Sequence, residues 1–357
     1  MSIEIIQISH YSILSNMAKV TIDGVTVEVE PGTTILNAAR QIGGDLVPPA
    51  MCYYSKLKGS GGKCRVCLVE ISKGSEANPN PMPKLQASCC TPIADGMEVK
   101  NMTSPKVQDM RKGVVEFLLI NHPLDCPICD QAGECDLQNL GFEYGAQTTR
   151  YQEGRRTFDR IDIGDKIQLH MNRCILCYRC TYVADQLTDH RDHGILNRGD
   201  ASEISTYISH AIDNDFSGNM IDVCPVGALT DKTFRFKSRV WFLKPYRAHR
   251  ECSHEKCNGH VDLWMFGNDV YRVTARKDDY HEVESFICNE CRFDHKNKAD
   301  WTIEGPRKLE KWSVINQGKY MKNTTEVKID TDKFLLLGRE EDRERLSMVE
   351  PEEAKKK

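Results

Sequence analysis

Fifteen of the sixteen cysteines in this 357-residue chain, together with one histidine, fall into four groups whose spacings suit metal ions or iron–sulfur clusters rather than disulfides. The first group is Cys52, Cys64, Cys67 and Cys89, and the second is His122, Cys126, Cys129 and Cys135. The third is Cys174, Cys177, Cys180 and Cys224, and the fourth is Cys252, Cys257, Cys288 and Cys291. A two-residue loop between cysteines lets both sulfurs point the same way, so short repeated separations bring thiolates onto one inorganic core. One such group suits a structural ion; three or four in one chain suggest an electron conductor.

The rest of the composition is that of a globular chain, with 40% hydrophobic and 28% charged residues and length for two or three domains. A formal net charge of −4 offers no basic excess for nucleic acid. The opening Met1-Ser2-Ile3-Glu4-Ile5-Ile6-Gln7-Ile8 lacks a basic leader, an apolar core and a small-residue cleavage site, so no signal peptide is read. Apolar stretches such as Val114 to Ile120 fall well short of the ~20 residues a membrane helix needs. The chain therefore reads as soluble and cytoplasmic, with its cysteines as metal or redox ligands and any membrane attachment made through partners.

Patterning predicts an α+β fold: a ferredoxin-like β-grasp domain, then a helical and loop-rich iron–sulfur domain, then a small β-rich cysteine-bearing unit. Two alternating runs from Ala18 to Glu30 meet at Asp23-Gly24, a hairpin signal. Pro31-Gly32-Thr33-Thr34 precedes the amphipathic Ile35, Leu36, Ala38, Ala39 and Ile42, with Gly43-Gly44 as the stop. Val107 to about Leu140 reads as mostly helical, with Val114, Val115, Leu118 and Leu119 on one face until Asn121-His122-Pro123 breaks the period. Val261 to Phe266 and Val270 to Ala275 read as strands joined at Gly267-Asn268-Asp269. The expected divisions are an extension at 1–16, a [2Fe–2S] domain at 17–100, a [4Fe–4S] domain with one histidine and three cysteines at 101–140, and a ferredoxin-like [4Fe–4S] domain at 141–246. A cysteine-bearing unit at 247–300 and a C-terminal extension at 301–357, charge-dense from Gly338, complete the chain.

In the first group, C-x11-C-x2-C-x21-C, Gly59-Ser60-Gly61-Gly62-Lys63 runs directly into Cys64. Such a loop can aim several backbone amides at an anionic cluster, and four thiolates on an α+β domain suit [2Fe–2S]. Cys90 adjoins Cys89, and alternation along a strand would let one of the two face a cluster. The second group, H-x3-C-x2-C-x5-C, has three cysteines and needs a fourth donor, which assigns His122 to a [4Fe–4S] cluster. The third, C-x2-C-x2-C with a remote Cys224-Pro225, reads as a split ferredoxin motif for one [4Fe–4S]. The fourth, C-x4-C-x30-C-x2-C, is read as either a further [4Fe–4S] or zinc, since paired cysteines at the ends of a β unit suit a structural zinc site.

Residues 18 to about 245 resemble the amino-terminal part of the iron–sulfur G subunit family of bacterial NADH:quinone oxidoreductase, respiratory complex I. The runs Lys112 to Gln138 around His122-Pro-Leu-Asp-Cys126, and Ser217 to Thr230 around Cys224-Pro-Val-Gly, carry the resemblance. It implies one [2Fe–2S] and two [4Fe–4S] centres at the first three groups, and favours Cys89 over Cys90. It also implies a flavin- and NADH-binding partner as donor, quinone-module subunits beyond, and a peripheral position on the cytoplasmic face of the inner membrane. The family continues into a large molybdopterin-oxidoreductase-like domain, of which this sequence reads as a short form; Cys257 and Cys288 sit where two of that domain's cluster ligands would.

No residue pattern suggests an acid, base or nucleophile, and no strand-linked G-x-G-x-x-G or Walker loop is found, so catalytic residues are expected to be none and NADH and flavin to sit on a partner. The competing readings are a cluster subunit of a soluble NAD-linked hydrogenase or formate dehydrogenase, and a zinc-stabilised scaffold.

Overall fold

The computed structural model describes residues 17–146, 148–159, 161–188, 191–206 and 211–307. The extension expected at 1–16 and the charge-dense segment from Gly338 lie outside the described residues.

Strands β1 (Ala18–Ile22) and β2 (Val25–Val29) form the expected hairpin. Asp23 at φ 47° and Gly24 at φ 87° supply the two left-handed positions that a two-residue turn matched to strand twist requires. With β3 (Leu68–Lys73), β4 (Gln86–Ala87) and β5 (Met97–Lys100) they make a five-stranded sheet in the order β2-β1-β5-β3-β4. Only β1 and β5 run parallel, and helix α1 (Ile35–Ile42) makes the crossover. The Thr34 hydroxyl accepts from the Asn37 amide to cap α1, which buries Ile35, Leu36, Ala38 and Ala39. Val20, Ile22, Ile35, Ile71 and Val99 close a core on the sheet that contains no cysteine.

The Asp23 carboxylate accepts from the Asn101 and Met102 amides at 2.8 Å each, fixing how the chain leaves β5. Helix α2 (Pro105–Ile120) follows, capped by Ser104 with proline at its first turn. Helix α2 ends at Ile120, where Asn121-His122-Pro123 is expected to break the period, and α3 (Asp136–Tyr144) begins only after the cysteine loop, so less of the stretch to Leu140 is α-helical than expected. Pro123 and Pro127 lack the amide a helix needs, and Gly133 at φ 87° turns the chain instead. Buried Arg111 ties these pieces together, donating to the Val66 carbonyl, Asn101 Oδ1 and the Tyr144 hydroxyl at 2.7–3.0 Å.

Behind them lies a region of short elements. Strand β6 (Ile167–Leu169) pairs with β9 (Leu229–Asp231), and β7 (His193–Leu196) pairs with β8 (Glu203–Thr206). Helices α4 (Arg179–Gln186) and α5 (Asn219–Val223) carry cysteines at or beside their ends. A four-stranded antiparallel sheet then forms from β10 (Lys244–His249), β11 (His260–Phe266), β12 (Asp269–Ala275) and β13 (Thr302–Pro306), in the order β12-β11-β10-β13. Strand β10 begins ahead of the division expected at 246, and β13 pairs with it, so residues 302–306 belong to the sheet rather than to an extension.

One large apolar cluster runs through the molecule and takes in cysteines of all four groups, from Cys52 and Cys64 through Cys135, Cys177, Cys180 and Cys224 to Cys257, Cys288 and Cys291.

Candidate iron–sulfur centres

Cys52 lies between α1 and the glycine loop, Cys64 and Cys67 sit in the turn before β3, and Cys89 follows β4. Arg65 at φ 63° bends the two-residue turn, and Gly61 at φ 112° and Gly62 at φ 72° bend the loop. The loop does what its composition predicts: the Gly62 amide donates to Cys89 Sγ at 3.3 Å, and the Lys63 and Cys64 amides donate to Cys52 Sγ at 3.3 and 3.4 Å. Cys67 and Cys89 sulfurs lie 3.4 Å apart. The Cys64 and Cys89 thiols beside Cys52 hold it down to about 2, while Cys64 is pushed up by Cys52 and by burial. Cys90 is exposed and Cys89 buried, but strand alternation is not the reason. Both occupy a turn, and their sulfurs stay 3.6 Å apart.

In the second group Cys129 and Cys135 are buried, Cys126 is exposed and His122 sits just beyond the end of α2. Burial, reinforced by the Arg173 cation, lowers His122 to about 4. The imidazole is therefore neutral near pH 7, with a lone pair free to ligate. Arg173, in the turn that ends at Cys174, pairs with Asp125 of the second group's loop at 2.8 Å.

The third group begins on a tightly wound loop, with Leu176 at φ 53° and Tyr178 at φ 66° turning the chain between cysteines. Cys174, Cys177, Cys180 and Cys224 wall a cavity closed by Leu169 and Ile204. Burial pushes the Cys177 thiol up to about 12 and raises the Cys174 and Cys180 thiols as well. An iron core would have to displace those protons, as thiolate ligation requires.

The fourth set differs: all four sulfurs lie within 4.8 Å of one another, with Cys288 and Cys291 fully buried. Among the described residues no other group of three or more His, Cys, Asp or Glu donors closes this tightly.

Two bridges join the first three groups. Arg179, within the third group, donates to the Ala50 and Tyr53 carbonyls beside Cys52 at 3.2 and 2.6 Å, and to the Val223 carbonyl beside Cys224 at 3.2 Å. On the other side, the Cys135 thiol donates to the Pro225 carbonyl at 3.8 Å. A Cβ at Gly227 would collide with the Cys129 sulfur, so the Cys224–Ala228 segment passes against the second group because residue 227 has no side chain. Neither Arg179 nor Gly227 is singled out by sequence reading. An arginine inside a cysteine triplet and a glycine shortly after a Cys-Pro were the available signals.

The donor sets fit iron–sulfur cores: soft thiolates with one neutral imidazole, backbone amides aimed at sulfur in the first group, and a cysteine-walled cavity in the third. Family comparisons divide the chain along the same lines. Residues 15–104 match the 2Fe-2S iron-sulfur cluster binding domain, 111–150 the NADH-ubiquinone oxidoreductase-G iron-sulfur binding region, and 164–230 the ferredoxin-like domain of NADH-quinone oxidoreductase subunit 3. The NADH-quinone oxidoreductase G subunit of Rickettsia bellii is 40% identical over 291 residues, covering 81% of this chain and 40% of that protein.

Over 64–81% of its length the chain is homologous to this G subunit family. Two further members are the 75 kDa subunit of NADH-ubiquinone oxidoreductase from Reclinomonas americana and the mitochondrial NADH dehydrogenase iron-sulfur protein 1 of Solanum tuberosum. The first is 41% identical over 78% of this chain and 38% of that protein, and the second 40% identical over 78% and 36%. The chain thus spans about two-fifths of the length of the G subunit relatives it matches. Among solved structures, a chain of an NAD+-reducing [NiFe]-hydrogenase in the H2-reduced state superposes with a TM-score of 0.53 at 27% identity, covering 62% of this chain and 91% of that one. The first, second and third cysteine groups fall one to each of the three matched regions. No helix among the described residues is long and apolar enough to cross a membrane.

Proposed function

We propose that this chain is the electron-relaying iron–sulfur subunit of an NADH:quinone oxidoreductase. It would take electrons from a flavin- and NADH-binding partner and deliver them toward quinone-module subunits, and it would meet the membrane only through those partners, on its cytoplasmic face. The observation that carries this reading is the pair of bridges: Arg179 and the Cys224–Ala228 segment place the third group against both the first and the second.

Cys52, Cys64, Cys67 and Cys89 would hold a [2Fe–2S] core, with the Cys67–Cys89 contact supporting those two as ligands of one iron and Cys52 with Cys64 as ligands of the other. His122, Cys126, Cys129 and Cys135 would hold one [4Fe–4S], and Cys174, Cys177, Cys180 and Cys224 another. When bound, these groups supply one-electron redox chemistry with little structural rearrangement. The chain's own residues space them, exclude water around Cys177, Cys180 and Cys224, and tune charge: a neutral His122 in place of a thiolate makes the second site one unit less negative.

A second reading, the cluster subunit of a soluble NAD-linked hydrogenase, is favoured by the solved hydrogenase chain, which is covered over 91% of its length. Low-temperature EPR of the reduced full chain tests the shared part of both. Cys126→Ala and Cys224→Ala are each expected to remove one distinct signal; a variant that retains every signal refutes its ligand assignment. Association of the purified chain with quinone-module subunits, rather than with a hydrogenase dimer, separates the two.

A further inference from the structure

We propose that Cys252, Cys257, Cys288 and Cys291 hold a single zinc ion, not a further iron–sulfur cluster, and that this ion clasps the C-terminal sheet to the helix preceding Cys224. A zinc–thiolate bond of about 2.3 Å sets the edges of an S4 tetrahedron near ~3.8 Å. The Cys252–Cys288 pair stands at 3.5 Å and the Cys257–Cys291 pair at 3.9 Å, with every sulfur of the set within 4.8 Å of the others.

A [4Fe–4S] cubane makes a different demand, because each thiolate binds its own iron and inorganic sulfides fill the space between. Its four thiolates must stand around a cavity. The third group provides the internal contrast: Cys174, Cys177, Cys180 and Cys224 wall such a space in the same molecule. The fourth set instead collapses onto one point, with room for one ion among its donors.

The backbone favours the thiolate form of this set. The Cys288 amide donates to Cys257 Sγ at 3.3 Å and the Cys291 amide to Cys288 Sγ at 3.4 Å, so amides of the Cys288-x2-Cys291 knuckle stabilise two thiolates. Zinc needs no redox access, and Cys288 and Cys291 have no exposed surface. Each thiol would release its proton to solvent as the ion binds.

The position explains a structural purpose. Cys252 and Cys257 lie between β10 and β11, whereas Cys288 and Cys291 lie on the segment that grips α5. Asn219 exchanges two hydrogen bonds with the Ile287 backbone, at 2.8 and 3.1 Å, and the Gly218 amide donates to Asn289 Oδ1 at 2.8 Å. The buried Arg292–Asp222 ion pair adds a third attachment to the same helix. Helix α5 ends directly at Cys224, so an ion fixing residues 288–291 to 252–257 also fixes the approach to the third group.

Elemental analysis and zinc K-edge absorption of the full chain, purified anaerobically, test the inference. About one zinc per chain is expected, with an all-sulfur shell near 2.3 Å. A Cys257→Ser, Cys288→Ser double variant should lose that zinc and keep the wild-type iron content. Absence of zinc from the wild-type chain overturns the proposal whatever the variant does. So does a loss of iron on the double substitution, whether one atom for a rubredoxin-type site or about four for a cubane. Iron and sulfide in the same sample report separately on the first three groups, so the electron-relay reading can stand or fall independently.

Discussion

The β-grasp sheet builds its core from Val20, Ile22, Ile35, Ile71 and Val99, with no cysteine among them, whereas the region between Ile163 and Leu243 relies on an apolar cluster threaded by Cys177, Cys180 and Cys224. The sheet has five strands and a packed helix; the later region has two separate two-stranded ribbons. A two-stranded pair is marginal by itself in water, while three or more strands packed on a helix can stand alone. The contrast teaches that one region presents its cysteines from a fold that exists without them. The other builds its core partly from the cysteines themselves.

The largest effect expected from this difference is on cofactor removal. Iron chelation of the full chain under denaturant-free conditions should leave residues 17–100 protease-resistant and open 161–243 to cleavage, read by mass spectrometry of the fragments. Equal protection of both would break the comparison. Next comes Asp222→Ala, which strands the Arg292 guanidinium at a position with 1% of its side chain exposed. A loss of about 3–5 kcal/mol in chemical denaturation is expected, confined to the transition that includes the third group.

Arg111→Met should cost about 2 kcal/mol, because it leaves the Val66 carbonyl and Asn101 without their charged donor. This side chain joins the sheet to α3 through Tyr144, so its loss should uncouple the two transitions and sharpen the contrast. The smallest effect is Thr34→Ala, which removes the α1 cap at about 1 kcal/mol. It should lower the midpoint of the sheet unit alone; an equal shift in the later region would show that the two do not melt separately.

Local chemistry made the sheet legible. Asp23-Gly24 between alternating runs has one common structural solution, and Thr34 before an amphipathic run has one common role. The cysteine groups were legible for a similar reason, since close spacing limits where sulfurs can point. What escaped depends on partners distant in sequence: Arg179 reaching Ala50 and Tyr53, Asp222 meeting Arg292, and Gly227 passing Cys129. The pairing of β13 with β10 escaped for the same reason. Cys89 and Cys90 show the limit of a periodic argument, because alternation holds in strands and these two lie in a turn.

The central claim is that the third group touches both of the others, and the magnetic interaction between reduced centres measures it most directly. In low-temperature EPR of the fully reduced full chain, the third-group signal should be broadened by two neighbours. The broadening should relax in part with Cys64→Ala and in part with Cys135→Ala. A third-group spectrum that is identical in the wild-type chain and both variants would contradict the account.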